Sequence, residues 1–168
     1  MKIKISNLSD GTHYFRFSEP VNKIGLEPPF LGNVEVEVEL KKAHNQLIVD
    51  SSVLVNAEFE CDRCTSVFNK QISADYEIVY LIGVEPVESE SDNIVYLAPE
   101  ADVIDLSEDV RDYSILATPM KKLCSEECKG LCSRCGKNLN EGQCSCPKDD
   151  TDIRWLPLME LKNKLNTN

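Results

Sequence analysis

Six of the eight cysteines in this 168-residue chain fall between Cys124 and Cys146, in a stretch with almost no aliphatic residues. Such a segment cannot bury enough apolar surface to order itself, so something must cross-link it. The spacing is Cys124-x3-Cys128-x3-Cys132-x2-Cys135-x8-Cys144-x-Cys146, with a remote Cys61-x2-Cys64 upstream. No apolar run approaches the ~20 residues needed to cross a bilayer. The opening Met1-Lys2-Ile3-Lys4-Ile5-Ser6 lacks the apolar core of a signal peptide. A cytoplasmic location is the expectation, and disulfides do not usually persist there. Metal thiolates are then the default use of so many cysteines.

Zinc takes four soft ligands in a tetrahedron, and a Cys-x2-Cys turn lets two thiolates reach one ion. Leu131-Cys132-Ser133-Arg134-Cys135-Gly136-Lys137-Asn138-Leu139 reads as a zinc knuckle. Gly136 follows the second ligand, where the chain turns with positive φ and its amides approach the sulfurs. Eight thiolates divide most simply into two sites and two zinc ions. Cys132 and Cys135 pair with Cys144 and Cys146 close behind them. Cys61, Cys64, Cys124 and Cys128 remain for a second site that clips the C-terminal segment to the rest of the chain. Other arrangements stay open on spacing alone. Cys124 or Cys128 could serve the knuckle, leaving Cys144 or Cys146 spare, or one site could form with the other thiols free. Disulfides, an iron–sulfur cluster and a redox pair at Cys61 and Cys64 are further readings; no βαβ pattern surrounds that pair.

The first two thirds of the chain reads as strands. Ile3, Ile5 and Leu8 alternate with polar residues, and Tyr14, Phe15 and Phe17 do so less cleanly. Val34 to Leu40 alternates strictly, as a strand with one buried and one wet face should. Leu47 to Glu60 holds two strand-like stretches, 47–49 and 53–55, and Val67 to Leu81 alternates in part. The 20–33 stretch reads as a loop or short broken helix, and 83–93 as an acidic, solvated loop. Ile94–Leu97 and Val103–Leu106 read as short strands. Ser107 looks like an N-cap to a helix over about 108–117, with Val110, Tyr113, Ile115 and Leu116 as its apolar face. The expected class is α+β, mainly antiparallel β as a meander or small open barrel, with one or two short helices and a C-terminal cysteine-rich zinc module. Residues 1–119 form the β-rich body, 120–147 the zinc module, and 148–168 a tail. In the tail, Leu158, Leu161 and Leu165 suggest a short docking helix anchored by Trp155.

Charge narrows the function. Residues 1–119 carry 9 basic and 22 acidic side chains, and 120–168 carry 9 and 7. A net charge of −11 opposes broad nucleic-acid binding, which depends on neutralising phosphates. A local patch from Lys121, Lys122, Lys129, Arg134, Lys137 and Lys148 is the place where RNA could still be touched. The two histidines, His13 and His44, sit in polar, turn-like sequence. There is no phosphate-binding glycine loop and no nucleophile elbow. All-thiolate zinc sites are closed and structural, whereas catalytic zinc keeps an open position. The expectation is a protein without enzymatic activity, with no small-molecule substrate and no membrane association.

The Cys-x-Arg-Cys of 61–64 and the box running from Leu123 to Cys146 resemble the YceD family of large ribosomal RNA subunit accumulation proteins. Asp152-Ile153-Arg154-Trp155 with its leucine-rich end is similar to that family's terminal Asp-Pro-Arg segment, with Ile153 in place of the proline. The resemblance implies a bacterial or plastid factor for large-subunit ribosomal RNA accumulation or processing. Implied partners are a ribosomal protein or large-subunit precursor, with ribosomal RNA as a further contact. The candidate contact residues are then Lys121, Lys122, Lys129, Arg134, Lys137, Arg154 and Trp155. The alternative function is an RNA-binding module acting through the basic residues of the zinc region.

Overall fold

The computed structural model describes residues 1–83 and 93–147, together with 157, 158, 161 and 162. The expected acidic loop, except for its two ends, lies outside the described residues, as do Lys148, Arg154, Trp155 and Leu165. Seven strands form: β1 (Lys2–Lys4), β2 (Gly11–Pro20), β3 (Phe30–Ala43), β4 (Gln46–Glu60), β5 (Val67–Ile82), β6 (Ile94–Leu97) and β7 (Val103–Asp105). A helix, α1 (Ser107–Leu116), follows them, and a 3-10 turn over Val21–Ile24 interrupts the 20–33 stretch. No helix among the described residues is long and apolar enough to cross a membrane.

Five strands make one open sheet in the order β2-β3-β4-β5-β6; it does not close into a barrel. Alternation decides its faces. Val34, Val36, Val38 and Leu40 of β3 are buried while Glu35 and Glu37 face solvent. The two stretches read in 47–60 are one strand of 15 residues. Ser51 and Ser52 do not break it, because they continue the alternation. Ser51 is buried in register between Val38 and Tyr76, and Ser52 donates outward to Asp75 Oδ1 at 2.6 Å. The pairing is antiparallel from β2 to β5, but β6 runs parallel to β5, with Val79 opposite Ile94. The connection 83–93 exceeds a tight hairpin turn, and it brings the chain back to pair in the same direction.

A second layer covers the inner face. β1 and β7 pair antiparallel, and with the 3-10 turn and α1 they bury Ile3, Ile5, Ile24, Leu26, Ile104, Leu106 and Val110 against the sheet. Tyr113 of α1 stacks on Tyr76 with ring centroids 4.0 Å apart. The helix differs from its sequence reading in two respects. Leu106 takes the N-cap position and Ser107 is already helical; Asp105 Oδ1 accepts from Ser107 N at 3.0 Å and from its Oγ at 2.7 Å. The apolar face is also rotated. Val110 and Ser114 are buried, whereas Ile115 and Leu116 are 51% and 76% exposed. Residues four apart share a helix face, so burying Val110 selects Ser114 and turns the two aliphatic residues after it outward.

The outer face of the sheet is acidic. Glu35, Glu37, Asp50, Glu58, Glu60, Asp75 and Glu77 lie on it, against Arg16 and Lys41. Arg16 pairs with Glu37 at 3.0 Å and Lys41 with Asp50 at 2.8 Å. Such exposed pairs contribute little to stability and leave most of the carboxylates uncompensated. At the far end of the chain, Pro157, Leu158, Leu161 and Lys162 are helical, with Leu158 and Leu161 more than half exposed.

Candidate metal centre

The first cysteine pair sits where β4 turns into β5. Cys61 N donates to Ser66 O at 3.0 Å and Thr65 N to Cys61 O at 2.9 Å, closing a turn that aims both thiols the same way. The C-terminal segment is then laid onto this turn by backbone bonds. Asp62 N donates to Lys122 O at 2.8 Å, and Lys122 N returns to Asp62 Oδ2 at 2.7 Å. Arg63 donates to Cys128 O at 2.8 Å, and Arg63 O accepts from Leu131 N at 3.0 Å. Cys124 and Cys128 are delivered by these bonds. Cys61 Sγ lies 3.8 Å from Cys128 Sγ, and Cys64 Sγ 3.6 Å from Cys124 Sγ. Cys61, Cys64 and Cys128 are buried, with Phe68 and Leu123 packed against them.

Gly130 makes this approach possible. Its φ is +74°, and a Cβ there would stand 3.0 Å from Arg63 O. Left-handed backbone costs an L-residue about 1–2 kcal/mol before any clash. Gly130→Ala should therefore loosen the module, with bound metal released at roughly tenfold lower chelator concentration. Unchanged chelator resistance would show that the close approach does not matter.

The second group is the knuckle itself. Gly136 N donates to Cys132 O at 2.9 Å with Gly136 at φ +71°, and Cys132 N donates to Lys137 O at 2.8 Å. Leu131 bridges to Asn138 across this small hairpin. Cys144 and Cys146 come back against it, with Cys144 Sγ 3.4 Å from Cys132 Sγ. Unlike the first group, none of these four residues is buried.

Both groups have sulfur spacings compatible with four ligands around one ion. Four sulfurs about 2.3 Å from a common centre stand about 3.8 Å from one another. Within each group the ligand sulfurs all lie within 4.8 Å of one another, and the Cys61–Cys128, Cys64–Cys124 and Cys132–Cys144 pairs measure 3.8, 3.6 and 3.4 Å. The division into Cys61, Cys64, Cys124, Cys128 and Cys132, Cys135, Cys144, Cys146 is the simple pairing read from spacing; the interleaved arrangement is not formed. Proton affinities show the same crowding. The backbone N–H of Cys124 pulls the Cys61 thiol down to about 6, and backbone N–H groups, that of Cys135 first, do the same for Cys132. Hydrogen bonding to Cys64 pushes Cys124 up to about 12, and hydrogen bonding to Cys135 pushes Cys146 up to about 12. In the first cage the Asn140 amide lowers Cys128 as well, so each cage sets lowered thiols beside a raised one, and a cation in their midst would favour ionisation of all four.

The structure gathers the basic residues around this module without placing them in one row. Lys121, Lys129, Arg134 and Lys137 are exposed. Lys122 is half-buried, its Nζ 5.3 Å above the Phe59 ring, and Lys137 Nζ donates to Gln143 O at 3.0 Å. Lys129 and Arg134 line a cavity of about 660 Å³ beside Cys132, Cys144 and Cys146. His13 and His44 are far from either cage in the fold, at the β2 start and the β3–β4 turn; His13 is half-buried, with Nε2 2.9 Å from Ser9 O. Sequence reasoning noted Arg63 only as part of Cys-x-Arg-Cys and gave no role to Asn138 or Asn140, and these three residues connect the two knuckles.

Comparison with known proteins agrees with this architecture. The family model described as "Large ribosomal RNA subunit accumulation protein YceD" matches residues 49–162, from near the start of β4 through both cysteine groups. An Arabidopsis thaliana relative described as "Large ribosomal RNA subunit accumulation protein YCED homolog 1, chloroplastic" is 26% identical over 160 residues, covering 79% of this chain and 49% of the relative. A Zea mays relative of the same description is 29% identical over 143 residues, covering 67% and 48%. An uncharacterized protein of Mycobacterium tuberculosis is 24% identical over 144 residues, covering 83% and 68%. The chain spans about half the length of the plant relatives it matches. No solved structure matches it. With the model covering well over half of its length, both knuckles included, the chain belongs to the YceD family of large ribosomal RNA subunit accumulation proteins.

Proposed function

We propose that this chain is a non-enzymatic, zinc-binding cytoplasmic factor of bacterial type that supports accumulation or processing of large-subunit ribosomal RNA. The observation that carries the reading is the pair of four-thiol cages inside the family's matched region, one of them fastening the C-terminal module to the sheet. A closed all-cysteine shell suits zinc as a structural ion, with no position left for substrate. The names of the plant relatives supply the link to large-subunit ribosomal RNA. The acidic outer face of the sheet suits a basic ribosomal protein, because opposite charge speeds encounter. Depletion of the protein is expected to lower mature large-subunit RNA, or raise its precursors, relative to small-subunit RNA. Unchanged levels of both would sink the proposal. Metal analysis of reduced protein is expected to give two zinc ions per chain.

A second reading is favoured by the exposed Lys129 and Arg134 at the cavity beside the second cage. There the module would touch RNA directly, and affinity would fall steeply with salt. Salt-insensitive binding, or none, would reject that reading and leave the protein-contact one standing.

A further inference from the structure

One side chain reaches from the second knuckle into the first cage. Asn140 lies in the segment between Cys135 and Cys144, both members of the second group. Its Nδ2 nevertheless donates to Cys128 Sγ of the first group at 3.3 Å, and its Oδ1 accepts from Lys129 N at 2.8 Å. Asn138 holds it there: Asn138 Oδ1 accepts from Asn140 N at 3.0 Å and from Asn140 Nδ2 at 2.9 Å. Asn138 Nδ2 in turn donates to Ser66 Oγ at 3.4 Å, and the same oxygen stands 3.4 Å from Cys64 Sγ. The hairpin carrying both asparagines is pinned over the first turn by Leu139 N to Gly130 O at 2.9 Å and Leu131 N to Arg63 O at 3.0 Å.

An N–H aimed at a ligand sulfur stabilises the thiolate and fixes its orientation, which strengthens metal binding without touching the metal. The placement of that N–H depends on the hairpin between Leu131 and Asn138, and the hairpin has little apolar packing of its own. Its order therefore depends on Cys132 and Cys135 being gripped together with Cys144 and Cys146. The geometry points to two coupled sites: metal in the less buried second cage raises the affinity of the more buried first cage, with Asn140 as the positioning residue that transmits it. By thermodynamic reciprocity the first site strengthens the second by the same factor. This inference rests on the metal-binding reading above and adds the linkage between the sites.

The test is chelator competition on the full, reduced chain loaded with Zn2+, with cadmium-113 resonances assigning each site. Three variants are compared with the parent: Asn140→Ala, Asn140→Asp, and Cys135→Ser combined with Cys146→Ser. The double variant should lower first-site affinity although it leaves all four first-site ligands in place. Asn140→Ala should lower first-site affinity by roughly 10–100-fold, the usual effect of losing a partner of a metal ligand. Asn140→Asp keeps the acceptor for Lys129 N but offers no donor to Cys128 or to Asn138, so it should be no better than alanine. First-site affinity in Asn140→Asp equal to that of the parent would overturn the inference. So would first-site affinity unchanged in Asn140→Ala, which does not depend on how the double variant folds. Two tight, mutually indifferent sites would defeat the coupling alone, whereas no tight metal in the parent chain would defeat the metal reading as well.

Discussion

Cys128→Ser is expected to free the C-terminal module from the sheet while the β-rich body stays folded. The asymmetry follows from where the apolar contacts lie. The main core draws its described residues from Ile3 to Val110, with Tyr113 and Ala117 at its margin, and takes nothing from the module. The module's share of burial is Cys128 and the half-buried Leu123, gathered with Cys61, Cys64 and Phe68. With no metal in the first cage, the segment would be tied to the β4–β5 turn by a few hydrogen bonds, to Asp62, Arg63 and Ser66, each worth about 0.5–1.5 kcal/mol. Ordering backbone costs about 1–2 kcal/mol per residue, so over the stretch from Cys124 to Leu131, which lies outside the second cage, those bonds lose. A structural zinc site contributes on the order of 10–16 kcal/mol at neutral pH, which is the right scale to reverse the balance. Limited proteolysis should cut the variant within 120–147 and spare β2–β5, with the strand signal in circular dichroism nearly unchanged and one metal lost per chain. Collapse of the sheet signal together with the module would mean that the first cage belongs to the core.

Leu40→Ala should be the reverse case, weakening the body rather than the module. Leu40 is wholly buried at 0% exposure in β3, opposite Val49 of β4. A buried leucine cut to alanine loses its transfer energy and leaves a cavity, about 2–5 kcal/mol in all. Domains of this kind are stable by only about 5–15 kcal/mol, so the urea midpoint should fall sharply. Leu54 supplies the control. It sits on the outer face of β4 and is 37% exposed, so Leu54→Ala should cost a small fraction of that. Equal losses at the two positions would show that the faces of the sheet are misassigned.

The sequence by itself determined the features written in near neighbours. Strict alternation over 34–40 determined which side of β3 is buried, because successive strand residues point to opposite faces. The Cys-x2-Cys turns and the short run from Cys132 to Cys146 made the four-and-four grouping the simplest one, because two thiols that close in sequence can reach one point, but only the structure chose it over the interleaved arrangement. Only the tertiary structure decided the rest. The face of α1 was set by what the sheet had room to bury, which turned Ile115 and Leu116 outward against their hydrophobicity. The direction of β6 depended on how the chain returned from β5. The contact of Asn140 with Cys128 depended on a hairpin lying on a turn more than sixty residues away in the chain, fixed by Arg63 O and Gly130. Local periodicity carries no record of such meetings, because they exist only once separate elements have been packed together.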